Sequence, residues 1–276
     1  MSIIHNNDYN ASICQIVNHT SLKKFAISTY LPSVIFLVLI MTSNLSYANN
    51  NKLTISVPPF PPFNSFTENP HCLGVSVLAI KAVTKNLQVK LELMTYPYTR
   101  ILHSLKTGEL DLALIFKNST HENHVEYIGP LSLSEVIVLT RSNISIQRYH
   151  DLYKLKNIAV IRNAQFHKTF DQDTRLNKVN VDSYDQAIRM LKSNRVDGVV
   201  GSRVGIQYAL SQQNIALSLM ANAYTLGSKE WGLHLAKKSP FITLLPLLTT
   251  AVKNTYQEDL IYQLYQQQVE HCLSAQ

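Results

Sequence analysis

The sequence predicts an α/β protein of two lobes, each built on a mainly parallel sheet flanked by helices and joined by a two-strand hinge. Three observations predict it. Strand-like and helix-like segments alternate from residue 52 onward. A helix–turn–Asp–strand unit occurs twice, as "LHSLKTGELDLAL" (102–114) and "IRMLKSNRVDGVV" (188–200). And the tail returns to helix after residue 240, ending at Cys272. If Cys272 pairs with Cys72, the tail packs on the first lobe, so the chain leaves that lobe near Thr140 and re-enters it near Trp231. Two crossings make a hinge, and two hinged lobes enclose a cleft.

The elements follow in order. "KLTISV" (52–57) alternates as a strand and stops at "PPFPPF" (58–63), a rigid aromatic loop. "VSVLAIKAVTKNL" (75–87) places Val75, Leu78, Ala79, Ala82 and Val83 on one helical face. "VKLELMTY" (89–96) alternates as a strand; "TRILHSLKTG" (99–108) is a helix with Thr99 as N-cap and Gly108 as stop. "LDLALIF" (110–116) is a continuous apolar run, as in a strand buried on both faces. "EVIVLT" (135–140), "NIAVI" (157–161) and "VDGVVGS" (196–202) read as strands, and 183–194 as a helix capped by Ser183. Ser239-Pro240 reads as the cap and first residue of another helix. Asp111 and Asp197 could be mistaken for catalytic acids. Each sits in a turn feeding a buried strand, where a carboxylate accepts backbone N–H bonds.

Bulk properties bound the partners. The formal charge is +7 with 16% charged residues, and no run of Lys and Arg interleaved with aromatics occurs, which excludes a nucleic-acid role. At the N-terminus, Lys23 and Lys24 precede "LPSVIFLVLIM" (31–41), followed by "SYA" (46–48). This is the pattern of a secretory signal peptide, residues 1–48, cleaved after Ala48. The apolar core is shorter than the ~20 residues that span a bilayer. A periplasmic, monomeric protein is expected. Cleavage removes Cys14 and leaves Cys72 and Cys272, expected as one disulfide in an oxidising compartment; two separate thiols are the alternative. "HENH" (121–124) is a weak metal signal, and no metal or cofactor is expected.

In this order the motifs resemble a family 3 extracellular solute-binding protein, with the type II periplasmic binding fold, over residues 52–272. The proline loop, "LGVSVLAIKAV", "ILHSLKTGELDLAL", "YIGPLSLSEVIVLT", "LYKLKNIAVI", "SYDQAIRMLKSNRVDGVV" and "KEWGLHLAKKSP" carry the resemblance. It implies lobe 1 from residues 49–138 and 229–276 and lobe 2 from 139–228. It also implies a proline loop at the cleft wall, with Phe60 and Phe63 facing a solute; a ring filling the core under the loop is the alternative.

The sequence departs from the family where amino-acid binders clamp their ligand. The carboxylate-binding Arg falls on Asn123, in a stretch reading Thr120-His121-Glu122-Asn123. The ammonium-binding Asp falls on Ser202, and the second-lobe helix start reads Asn163-Ala164-Gln165. Missing both clamps argues against a zwitterionic amino acid. Arg100, Lys117, Arg162 and Arg203 are the candidate cations, with Tyr98 stacking beside them and Thr120, Gln165 and Ser202 as polar contacts. The resemblance implies capture of a small polar or anionic solute for an ABC importer. The alternative is a sensory receptor for a membrane kinase or cyclase. A dehydratase-like enzyme is the weakest reading, because no base pairs with Glu68, Glu122 or Glu126.

Overall fold

A computed structural model of the chain describes residues 52–119 and 122–273. The expected signal peptide and its Cys14, and Thr120 as a ligand contact, lie outside the described residues.

Among the described residues the strands are β1 (Leu53–Ser56), β2 (Leu91–Leu93), β3 (Leu112–Phe116), β4 (Val125–Thr140), β5 (Ile158–Ile161), β6 (Lys178–Val181), β7 (Gly198–Ser202) and β8 (Tyr224–Ala236). The α-helices are α1 (Val75–Thr84), α2 (Tyr98–Thr107), α3 (Lys168–Gln172), α4 (Tyr184–Lys192), α5 (Arg203–Gln212), α6 (Leu245–Thr255) and α7 (Leu260–Cys272). The strands form one sheet in the order β2-β1-β3-β8-β4-β7-β5-β6. Parallel pairs lie at both ends, β1 with β2 and β3, and β5 with β6 and β7. Strands β4 and β8 join the ends. They pair antiparallel with each other from Val125 to Val138. Trp231–Leu235 of β8 also pairs with β3, and Val136–Thr140 of β4 with β7. The two ladders thus change neighbours near Glu135 and Glu230. The β1 end and the β5 end are named below by these strands.

Burial follows the sequence pattern. Every residue of β3 and β7 is buried, as continuous apolar runs require when both sheet faces are covered. Strand β2 is an exposed three-residue edge. Helix α1 packs against α6 and α7, and Cys72 is bonded to Cys272 at the end of α7, a loop of 200 residues closed with Cα atoms 6.0 Å apart. Among the described residues no helix is long and apolar enough to cross a membrane.

Several local expectations need correction. Strand β4 begins ten residues before the expected 135, because bulges at Ile128 and Leu131, on either side of the paired Gly129 and Pro130, carry the ladder on instead of ending it. Helix α2 is capped by Pro97, not Thr99. Ser239 is not a helix cap and Pro240 is not helical: the Ser239 Oγ accepts the Phe241 N–H at 3.1 Å in the turn ahead of a 3-10 helix at Ile242–Leu244, whose N-cap is Phe241, and the α-helix starts at Leu245 with Pro246 as its second residue.

The two repeated aspartates are structural. Asp111 is buried and accepts the Thr54 N–H and hydroxyl at 2.8 Å each and the Ser239 hydroxyl at 2.6 Å. It ties β1, β3 and the segment after β8. Asp197 accepts the Lys156 N–H at 2.7 Å and the Asn157 N–H at 3.3 Å, and pairs with Arg141.

Candidate functional site

The strand ends converge on an aromatic junction. Its first contributor is the loop after β1. Helix α1 begins with N–H groups that have no partner inside the helix. Val75 N–H donates to the Pro62 carbonyl at 2.8 Å and Ser76 N–H to the Phe63 carbonyl at 3.1 Å. These bonds fix the loop at the helix end. Gly74 permits the approach, since a Cβ there would lie 2.2 Å from the Phe63 carbonyl oxygen.

Phe60 and Phe63 are thereby aimed inward, 6% and 1% exposed. Both touch the far end of the sheet: their centroids lie 5.4 and 6.4 Å from that of Tyr184, the first residue of α4. Tyr184 is seated between Gly201 and Gly205, where added Cβ atoms would come within 2.1 and 2.4 Å of its ring. Its hydroxyl accepts the Ser202 N–H at 3.0 Å, and Ser202 Oγ lies 3.2 Å from Ser134 Oγ. Tyr98 is buried close by. Burial, and secondarily Tyr184, push its hydroxyl above the ordinary tyrosine range.

Trp231 forms the floor, in β8 where the ladders change partners. It stacks on Phe63 at 4.8 Å and 26°, and meets Phe116 edge-on at 4.4 Å. Phe116, at the end of β3, reaches Phe166 of the β5 end at 6.2 Å. The junction therefore brings together Phe60, Phe63 and Tyr98, which the sequence singled out. Tyr184, Phe116 and Trp231 were missed. Tyr184 reads in sequence as one more apolar helix position, and Phe116 as the end of a core strand. The signal for Trp231 is that it is the single tryptophan of the chain.

The four candidate cations each have an internal carboxylate. Arg100 donates to Glu109 at 3.1 Å and lies 5.4 Å over Tyr96. Arg162 meets Asp182 at 3.2 Å. Arg203 pairs with Glu135, and this bond, ahead of a smaller opposing effect of burial, holds the Glu135 carboxyl below its usual range. Lys117 meets Glu230 at 3.1 Å, and Glu230 also accepts the Tyr127 hydroxyl at 2.6 Å. A solute anion at any of the four would have to compete with that carboxylate. Gln165 accepts the Ser119 N–H at 3.1 Å, linking the β5 and β3 ends. Asn163 donates to Thr99 at 3.5 Å across the same line.

Beside these bridges runs a groove of about 680 Å³, with Thr99, His103 and Lys106 on one wall and Asn163, Gln165 and Asn180 on the other. A second groove, about 940 Å³, lies between the proline loop and helices α4 and α5, lined by Glu68, Asp185 and Tyr208 among others.

A family model of bacterial extracellular solute-binding proteins, family 3, matches residues 53–267. The chain belongs to that family. The family is one of solute-binding proteins, not of enzymes. Among curated relatives, the ABC transporter arginine-binding protein 1 of Escherichia coli (strain K12) is 27% identical over 146 residues, 51% of this chain and 59% of that one. The probable amino-acid-binding protein YxeM of Bacillus subtilis (strain 168) is 26% identical over 161 residues, 56% of this chain and 61% of that one. The match thus spans about three fifths of either relative. Holo ArgBP from T. maritima shares the type II periplasmic binding fold, with a TM-score of 0.62 at 18% identity over 79% of this chain and 96% of that one. A histidine kinase sensor domain with similarity to periplasmic binding proteins is as alike in fold, with a TM-score of 0.63 at 14% identity over 80% of this chain and 95% of its own.

Proposed function

We propose that the chain is a periplasmic solute receptor, exported by its N-terminal signal, that captures a small polar or anionic solute and presents it to an ABC importer. In this reading residues 49–138 and 229–276 form one lobe and 139–228 the other. The crossing strands β4 and β8 are the hinge. Closure follows from differential affinity: a solute that touches both lobes stabilises the closed arrangement by the contacts it gains there.

The observation that carries the reading is the aromatic junction. Phe60 and Phe63 come from one end of the sheet, Tyr184 from the other, and all three are buried where they meet. Solutes of open α/β folds sit beyond the carboxyl ends of strands, which is where this junction lies. The curated relatives are named for arginine and amino acids. An α-amino acid in this site would need other clamps, since Asn123 is exposed on a loop and Ser202 is bonded to Ser134.

A thermal-unfolding screen of organic anions and L-amino acids tests the reading. A solute at about 100 times its Kd stabilises by about 2.7 kcal/mol, which raises the melting temperature by roughly 5–10 °C for a domain of this size. Organic anions are expected to give such shifts. A large shift with ordinary L-amino acids would contradict the missing-clamp part, and no shift with any solute would contradict the receptor.

A further inference from the structure

One strand face at the floor of the junction carries nitrogen atoms without partners. Residues 227, 229 and 231 of β8 alternate onto the same face. The Trp231 side chain is 3% exposed, and its Nε1–H has no acceptor among the described residues. Lys229 is half-buried and forms no ion pair among the described residues, unlike Arg100, Lys117, Arg162 and Arg203. The imidazole of His167 lies over Gly227, its Cδ2 3.3 Å from where a Cβ would be, and its buried Nδ1 is also without a partner among the described residues. Burial lowers the Lys229 pKa, and Asp171, Lys117 and Glu230 act on it only from a distance. Asp171 itself is engaged, its carboxylate accepting the Phe166 N–H at 3.0 and 3.2 Å.

A buried N–H left unpaired is destabilising, and a half-buried ammonium without a counter-ion adds to that. A ligand supplying an acceptor to this face would relieve both. The rings around it state the shape of the rest of the ligand. Trp231 already stacks a flat ring, Phe63, and Phe116 and Phe166 meet edge-on beside it. Two residues of strand rise, about 6.6 Å, separate Lys229 from Trp231. A planar carboxylate would span that interval by inserting its ring between Phe63 and the indole, which stack directly on one another, with the carboxylate toward the ammonium.

We propose that Lys229, Trp231 and His167 form the anion-binding floor of the cleft, and that the solute is a planar, aromatic carboxylate. The proposal rests on the receptor reading and names the substrate class of the same site. Lys229 neutralises the carboxylate, Trp231 Nε1 and His167 donate to it, and Phe63, Phe116 and Phe166 enclose the ring. The four paired cations then serve the scaffold.

Isothermal titration of the purified protein with benzoate, 4-hydroxybenzoate and indole-3-acetate tests it, beside cyclohexanecarboxylate, benzamide and L-arginine. At least one aromatic acid is expected to bind. Its saturated-ring analogue should bind several-fold more weakly, and its amide at least tenfold more weakly. Lys229→Gln should lose at least tenfold in affinity with the unliganded melting temperature retained. Trp231→Phe, which keeps a ring and removes the N–H, should lose several-fold. Absence of heat with all three aromatic acids overturns the inference, as does unchanged affinity in Lys229→Gln. If L-arginine or another screened solute binds while the aromatic acids do not, the substrate class is wrong and the receptor reading stands. If no solute of any class binds, both are overturned.

Discussion

Asp111→Ala is expected to lower the unfolding free energy by about 3–5 kcal/mol, a drop of roughly 10 °C in melting temperature for a chain of this size. The cause is what the carboxylate leaves behind. Thr54 N–H, Thr54 Oγ1–H and Ser239 Oγ–H all point at Asp111, which is 6% exposed. Alanine strands these donors where water enters poorly. Each costs about 1–3 kcal/mol when buried without an acceptor. Asp111→Asn should recover only part of the loss, since one oxygen becomes a donor facing donors. Asp197→Ala should cost less, because its neighbours Arg141 and Lys156 lie nearer to solvent. Denaturant titration with an unchanged slope gives the numbers. An Asp111→Ala midpoint equal to the parent's would show that the carboxylate does not hold the strands together.

The second large effect is on the disulfide. Replacing Cys72 and Cys272 together by serine is expected to destabilise the fold toward the upper end of about 2–5 kcal/mol, because loop-closure entropy in the unfolded chain grows with loop length. The bond closes a loop of 200 residues. It also anchors the last helix: α7 ends at Cys272, and Leu260, Ile261 and Tyr265 on its inner face are buried. Without the bond, the end of α7 becomes an ordinary frayed terminus. Amide exchange should rise first in residues 265–272 and reach the Cys72 loop next. Equal guanidinium midpoints for the parent and the double-serine chain would contradict this.

Much of the fold was legible because two periodicities are strong here. The continuous apolar run before Phe116 reads as a doubly covered strand, and it is one. Ser183 reads as an N-cap, and its Oγ accepts the Gln186 N–H at 3.1 Å. Gly108 reads as a helix stop, and it takes the left-handed φ of 85° that ends α2. Asp111 and Asp197 read as turn acceptors from their place before strands. What was not legible depends on tertiary contact. Gly129-Pro130 looks like a strand breaker, but bulges on either side let the ladder with β8 continue through it. Thr99 has a capping side chain, yet the residue at the cap is Pro97, which fixes the entry backbone without a side-chain bond. Strand β6 is too polar to announce itself.

The site was read from both sides with different success. Phe60 and Phe63 stand out because prolines isolate them. Tyr184 does not, because its partners Gly201 and Gly205 lie far off in sequence and only the fold brings them to its ring. The cations chosen by position at strand and helix ends all have acidic neighbours in space, which no local pattern encodes. Lys229 is the reverse case: in "SKEWG" it looks like a surface charge beside Glu230, but the alternation of the strand turns Glu230 toward Lys117 and leaves Lys229 on the Trp231 face.

Because Trp231 is the chain's only tryptophan, its fluorescence reports on the aromatic junction and nothing else. Emission should be followed while the protein is titrated with every solute that raises its melting temperature. If the two ends of the sheet close around a guest at the aromatic junction, each stabilising solute will change the intensity or wavelength of that emission, with the same apparent Kd as the thermal shift. A solute that stabilises the protein at saturation while leaving Trp231 emission unchanged binds somewhere else, and would contradict the account.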